Sequence, residues 1–415
     1  MTTTPDPSLS QARALDDADR LRTLRGRFRL PEGVIYLNGN SLGPLLWESR
    51  DRITQAVEVE WGEGLIRSWN DAHWISAPQR IGGKIARLIG AAPDEVVVAD
   101  STSVNLFKLL AAALQARPDR RVILTETGNF PTDLYVAQGI AAAWPGVEVR
   151  AVASGEVAQA IDDSIAVVML THVHYKTAAR HDMAALTARA HAAGALALWD
   201  LSHTTGAIAV DLNACDVDLA IGCGYKFLNG GPGAPAFVFV AKRLQSTLRS
   251  PITGWMGHAE AFAFSDDFRP AEGMARWLTG TPPMLNLLAL EAGVDLHLEV
   301  DPKALEHKGQ ALWTLFVERL EARCANQGFG LITTREADQR GSHVAITHPE
   351  GYRIMQALIA RGVIGDFRAP DVLRFAITPL YLGYEETWRA VEILAEVMES
   401  GAWRAAAPLT AGRVT

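Results

Sequence analysis

The chain has 415 residues, 48% hydrophobic and 21% charged, with a formal net charge of −8; that length allows two domains around a large core, and the acidic balance argues against a nucleic-acid-binding surface. Three cysteines, Cys215, Cys223 and Cys324, are too few and too scattered for a disulfide framework, and no CxxC pair suggests structural zinc. With no signal-peptide core and no membrane-length apolar run, the expectation is a reduced, cytoplasmic protein with no membrane partner.

Residues 1–60 read as an N-terminal arm and a segment packing with a smaller domain; the first ten are expected to be mobile and 15–30 show a charged helical pattern. The run Val34-Ile35-Tyr36-Leu37 leads into Asn38-Gly39-Asn40-Ser41-Leu42-Gly43-Pro44, which is dense in turn formers. A helical pattern follows to about Gly62. From 61 to 300 short apolar runs alternate with helical stretches. Seven runs qualify as strands: 96–98, 121–124, 147–149, 165–170, 195–199, 219–221 and 236–240. Helical patterns cover 104–114 and 182–192. Apolar runs alternating with helices predict a mainly parallel α/β sheet buried on both faces, with ligands outside the carboxyl ends of its strands. Beyond Pro282-Pro283 a long helical pattern runs on, and 304–324 is amphipathic. From 301 to 415, short strands near 330–332, 343–346 and 372–377 mix with helices near 353–361 and 384–399, predicting a smaller α+β domain.

Lys226 leaves one apolar run, in Gly224-Tyr225-Lys226-Phe227-Leu228-Asn229-Gly230-Gly231. Asp200 leaves another, in Trp199-Asp200-Leu201-Ser202-His203. A buried amine near a buried carboxylate is what pyridoxal 5'-phosphate requires: the amine forms a Schiff base with the cofactor aldehyde, and the carboxylate pairs with the pyridinium nitrogen. By themselves these residues also admit plainer readings. Lys226 could be a strand-end lysine with its charge in water, Asp200 a helix N-cap, and His203 a satisfied core histidine. A phosphate needs backbone N–H groups and hydroxyls. The stretch Asp100-Ser101-Thr102-Ser103-Val104-Asn105 supplies them after a strand and before a helix, as a plain capping sequence also would. Phe130, in Asn129-Phe130-Pro131-Thr132-Asp133, could stack on a planar ring or fill a core.

Taken with Gly64-Leu65-Ile66-Arg67-Ser68-Trp69, Gly254-Trp255-Met256-Gly257-His258, Gly341-Ser342-His343-Val344 and Arg374-Phe375, these segments resemble the kynureninase family, in the family's order along nearly the whole chain. The resemblance implies the fold-type I architecture of pyridoxal-phosphate-dependent transferases, related to class V aminotransferases. It implies that Lys226 carries the cofactor, Asp200 holds the pyridine nitrogen with His203 close by, Phe130 lies against the ring, and Asp133 and Thr171 help fix it. Thr102, Ser103 and Tyr225 would hold the phosphate, while Trp255 and Thr281 would reach the phosphate of the other subunit in a homodimer. Arg374 would grip the substrate α-carboxylate as a bidentate pair, its plainer reading being an exposed ion pair. Trp69, Asn40 and Gly280 would also face substrate. The implied reaction is hydrolysis of L-kynurenine, and more weakly 3-hydroxy-L-kynurenine, to anthranilate or its hydroxylated form and L-alanine, within tryptophan catabolism and NAD biosynthesis. Lys226 would remove the α-proton and Tyr225 would relay protons. Trp69, Gly280 and Thr281 match bacterial members that prefer the unhydroxylated substrate. The sequence departs from the family at Asn38, where aspartate is usual, at Ser202 for alanine, and at Ala178 for glycine.

Two rival functions are weighed against this. A cysteine desulfurase or another class V enzyme would need a reactive thiol on a mobile loop, yet Cys324 lies in an amphipathic helical pattern and is expected to be packed and inert. A pyridoxal-phosphate-binding homologue without turnover would keep the fold and lose the chemistry.

Overall fold

The structure is a computed structural model that describes residues 8–406. It divides into two compact units. The larger comprises Glu48–Tyr175 and His181–Glu299; the smaller comprises the described residues up to Trp47, Lys176–Arg180, and those from Val300 onward.

The larger unit is built on a seven-stranded sheet: β1 (Val96–Val98), β2 (Val122–Glu126), β3 (Glu148–Val152), β4 (Ile165–Thr171), β5 (Leu196–Asp200), β6 (Leu219–Cys223) and β7 (Ala236–Val240). Their spatial order is β1-β7-β6-β5-β4-β2-β3. The β5–β6, β4–β5, β2–β4 and β2–β3 pairs are parallel, and β7 runs antiparallel to both its neighbours. Apart from the partly exposed edge strand β3, the strands are buried along their whole length because both faces are covered. Val168, Leu170, Ala197 and Trp199 enter one core, while Val167, Met169, Leu196 and Leu198 enter the other. Parallel strands bring their carboxyl ends to one edge, so Thr171, Asp200 and Cys223 end together there. Helix α1 (Thr102–Ala116) starts at that edge, with Ser101 as its N-cap accepting the Val104 N–H. Helix α2 (Met284–Glu299) begins just after Pro283.

The smaller unit carries a four-stranded antiparallel sheet, ordered Gly330–Leu331, Val344–Thr347, Val372–Phe375, Asp366–Arg368. Around it lie the helices Pro302–Cys324, Gly351–Ile359 and Tyr384–Ser400. Ile35–Tyr36 pairs in parallel with Val363–Ile364.

The helical pattern expected over 15–30 is placed differently. The helix runs Leu9–Ala18, because Ser8 and Gln11 close a reciprocal capping box ahead of it. It stops at Asp19, whose carboxylate turns to accept the Leu21 N–H, and a short 3-10 turn over Arg22–Arg27 and the strand Phe28–Arg29 follow. Asp16 on this helix accepts the N–H groups of Tyr384 and Glu385 at 2.7 and 2.8 Å, capping a helix 368 residues further on. Of the ten residues expected to be mobile, 1–7 lie outside the described residues, and Leu9 and Ser10 are helical. No helix among the described residues is long and apolar enough to cross a membrane.

Candidate active site

A cavity of about 160 Å³ opens at the carboxyl edge of the large sheet. Thr102, Ser103, Phe130, Asp133, Thr171, Asp200, His203, Tyr225 and Lys226 all line it, so residues spread over 125 positions of sequence meet around one small space. Strand ends supply Thr171 and Asp200, the opening turn of α1 supplies Thr102 and Ser103, and the loop after β6 supplies Tyr225 and Lys226. That loop needs its glycine: a Cβ on Gly224 would stand 2.5 Å from the Pro235 carbonyl oxygen, too close for any other residue.

Lys226 is only 8% exposed. Its Nζ lies 3.2 Å from His203 Nε2 and 5.7 Å from the ring centres of Phe130 and Tyr225. Among the described residues no carboxylate comes within ion-pairing distance of it. The strand-end lysine in water is therefore not what the structure contains. The N-cap reading of Asp200 also falls: β5 runs into a turn rather than a helix, and the carboxylate accepts the Ser202 N–H at 2.7 Å.

Two carboxyls are sealed into the cavity wall, Asp200 at 3% and Asp133 at 1% exposure. Burial pushes the Asp200 carboxyl above the usual carboxylate range, against the Ser202 hydrogen bond and the Lys226 charge. Asp133 is pushed well above that range, first by burial and then by the charge of Asp200, with the Thr171 hydroxyl opposing. Thr171 Oγ1 lies 2.5 Å from Asn129 Oδ1 and 3.3 Å from Asp133 Oδ2. Burial also raises the Tyr225 phenol, with the Cys223 and Asp200 charges adding to it, so Oη stays protonated and serves as a donor.

The donor set fits pyridoxal 5'-phosphate. A buried lysine without a carboxylate partner suits a carbonyl. A buried carboxyl pushed upward lacks a cationic N–H, which a pyridinium supplies. A helix start with two hydroxyl side chains and unbonded N–H groups suits a phosphate.

Gly280 and Thr281 lie elsewhere in the same unit. They line a second, larger cavity of about 590 Å³, which shares Ser101, Tyr225 and Ala234 with the first. Trp255 is exposed, edge-on to Phe262, and lines neither cavity; Trp69 is half-buried edge-on against Trp74. In the smaller unit Arg374 is 1% exposed, so its plainer reading as an exposed ion pair does not hold. Asp366 stands directly across the strand pair from it and accepts from Nε at 2.7 Å and from an Nη at 2.5 Å. Ser41 Oγ lies 3.2 Å from the same guanidinium. Asn40 in that unit is fully buried, and neither amide atom has a hydrogen-bond partner among the described residues. Asn38 carries a buried Oδ1 with no hydrogen-bond partner among the described residues.

Sequence reasoning passed over Tyr175, which lines the cofactor-sized cavity with its ring edge-on to Phe130 at 5.2 Å. Its place four residues beyond Thr171, past the carboxyl end of β4, was the available signal.

A parallel sheet with one antiparallel strand, holding a buried lysine just beyond a strand end, defines a fold-type I pyridoxal-phosphate-dependent enzyme of the class V kind. Solved structures of that fold agree: a cysteine desulfurase of Thermococcus onnurineus superposes with a TM-score of 0.77 at 18% identity, over 91% of this chain and 98% of that one. A C-DES variant with glycine covalently linked to the PLP cofactor gives 0.76 at 18% identity, over 90% and 99%. Residues 305–394 match the kynureninase C-terminal domain family. Kynureninase of Pseudomonas fluorescens is 52% identical over 94% of this chain and 95% of its own length, and that of Burkholderia mallei (strain SAVP1) is 50% identical over 98% and 99%. The chain belongs to the kynureninase family.

Proposed function

We propose that this enzyme hydrolyses L-kynurenine to anthranilate and L-alanine with pyridoxal 5'-phosphate, as a step of tryptophan catabolism. The observation that carries the reading is Lys226, buried with its amine in a cavity walled by two buried carboxyls, in a chain half identical to named kynureninases over nearly all its length. Bound there, the cofactor supplies an electrophilic carbonyl and a ring that accepts the electron pair left when the substrate Cα–H bond breaks.

Lys226 is assigned to hold the cofactor and, once released, to take the α-proton on Nζ. Its neighbour His203 Nε2 can share that proton, since two basic nitrogens at 3.2 Å bond only when one donates and the other accepts. Asp200 is assigned to the pyridine nitrogen, and Asp133 with Thr171 to fixing the cofactor in the cavity they line. Phe130 is assigned to the ring face. Thr102 and Ser103 bind the phosphate with Tyr225, whose protonated Oη donates a hydrogen bond there and passes protons during cleavage of the Cβ–Cγ bond. Arg374 takes the substrate α-carboxylate, its guanidinium held in one orientation by Asp366. Asn40 is assigned to substrate because a buried amide with no partner calls for one. Trp69 and Gly280 are assigned to the aromatic part of the substrate, with a preference for the ring lacking the 3-hydroxyl. Trp255 and Thr281 are assigned to the other subunit's phosphate in a cytoplasmic homodimer that also serves NAD biosynthesis.

The desulfurase-like neighbours share the fold and not the thiol. Cys324 is buried on the helix Pro302–Cys324, and burial pushes its thiol up to about 11. Mixing the purified protein with pyridoxal 5'-phosphate and L-kynurenine, and following anthranilate fluorescence, tests the reading. A steady rise is expected. A flat trace from folded, yellow holoenzyme overturns it.

A further inference from the structure

Lys108 is a fully buried cation that the chemistry above does not use. It lies on α1 with its Nζ 2.5 Å from Asp100 Oδ2 and 2.7 Å from the Trp277 carbonyl oxygen. Asp100 immediately precedes Ser101, the N-cap of α1, and has a positive φ of 45°. Trp277 immediately precedes Leu278, Thr279, Gly280 and Thr281, which line the larger cavity together with Asp100 and Ser101. The Thr279 carbonyl accepts the Met256 N–H at 3.2 Å, so the Trp255 loop rests on the same strand of contacts. One ammonium therefore ties the turn that opens α1 to the loop bearing Gly280 and Thr281.

Such a pair needs a reason other than stability. The pair is buried at Lys108 and partly exposed at Asp100; an ion pair so placed contributes little net stability, whereas it holds its partners in one orientation. Asp100 is in a conformation that a non-glycine residue adopts only when its surroundings hold it there. We propose that Lys108 is a positioning residue for the cofactor phosphate: by binding Asp100 and the Trp277 carbonyl together, it sets the turn that presents Thr102 and Ser103. The inference rests on the pyridoxal-phosphate reading.

Pyridoxal lacks the phosphate, so it separates an effect on the phosphate turn from a general loss of structure. Cofactor-free wild-type, Lys108→Met and Asp100→Asn proteins are titrated with pyridoxal 5'-phosphate and with pyridoxal, following the visible absorbance. Lys108→Met is expected to lower the affinity ratio of the two ligands at least tenfold, with pyridoxal affinity within twofold of wild type. Asp100→Asn is expected to shift the ratio in the same direction. Asparagine accepts a positive φ at least as readily as aspartate, so its effect reports the lost charge rather than backbone strain. If Lys108→Met fails to fold, Asp100→Asn with wild-type circular dichroism decides. An unchanged ratio, or an equal loss for both ligands, overturns the role of Lys108. Wild-type protein that binds neither ligand overturns the cofactor reading itself, and this inference with it.

Discussion

Nζ of Lys226 lies 3.2 Å from Nε2 of His203, and among the described residues no carboxylate pairs with that amine. A lysine sealed from water usually pairs with an acid. Here the nearest polar partner is another base, which leaves the amine free of an ion pair that would have to break before it could react with a carbonyl. The two buried carboxyls Asp200 and Asp133 wall the same cavity, where burial pushes both upward and the Lys226 charge opposes that push without a direct ion pair.

Lys226→Ala is expected to lower anthranilate formation on the order of 10³-fold or more, because it removes the base proposed to take the α-proton. The visible absorbance of the bound cofactor should shift, and borohydride should no longer attach the cofactor at position 226, as mass spectrometry of a digest would show. Wild-type turnover in this variant would remove Lys226 from its role.

The buried carboxyls make the cofactor-free protein sensitive to pH in a defined direction. The folded state holds the Asp133 carboxyl well above the ordinary carboxylate value, so above about pH 4 the folded chain keeps a proton that the unfolded chain has lost. The Asp133 contribution to stability therefore falls as pH rises from that value through the raised one. Asp133→Asn should flatten this slope, and at pH 8 it should stabilise the cofactor-free protein by about 1–3 kcal/mol. Thermal melts across pH with and without the substitution check it. A stability difference between wild type and Asp133→Asn that does not fall with rising pH over that window would contradict the burial argument.

Arg374 pairs with Asp366 and is proposed to bind substrate, two roles that a single substitution confuses. Arg374→Ala leaves Asp366 buried beside Arg368 alone, at a cost of about 3–5 kcal/mol. The pair Arg374→Met with Asp366→Asn removes both charges, so most of that stability should return while KM for L-kynurenine stays raised at least tenfold. Denaturation midpoints and steady-state kinetics on the three proteins distinguish the roles. A KM that recovers along with stability would place Arg374 outside the substrate site.

Cys324→Ala should leave kynurenine turnover within twofold of wild type and cost about 1 kcal/mol of stability, as expected for a buried thiol that reacts with nothing. Sulfide release from L-cysteine that disappears in this variant would instead support desulfurase chemistry.

Much of the large unit is legible along the chain. Uninterrupted apolar runs such as Ile165–Thr171 mark strands covered on both sides, and the residues leaving those runs fall at one edge by the geometry of parallel strands. The antiparallel direction of Ala236–Val240 is not legible, because an apolar run reads the same in either direction. The early helix is misplaced for a different reason: 15–30 shows a charged helical pattern, but the capping box at Ser8 and the turn at Asp19 decide where the helix begins and ends.

The order of residues by itself determined the chemistry offered: a lysine and an aspartate leaving apolar strands, hydroxyls ahead of a helix, an arginine in a late strand. Only the tertiary structure decided which charges meet. Neither Asp366 nor Lys108 was singled out, although Asp366 accepts from both Nε and an Nη of Arg374, and Lys108 meets the carbonyl of Trp277, 169 residues away. Periodicity records which faces of the chain avoid water. Pairing between charges depends on how distant elements pack, and burial then enforces it, because an unpaired charge in a dry interior costs far more than any local preference can supply.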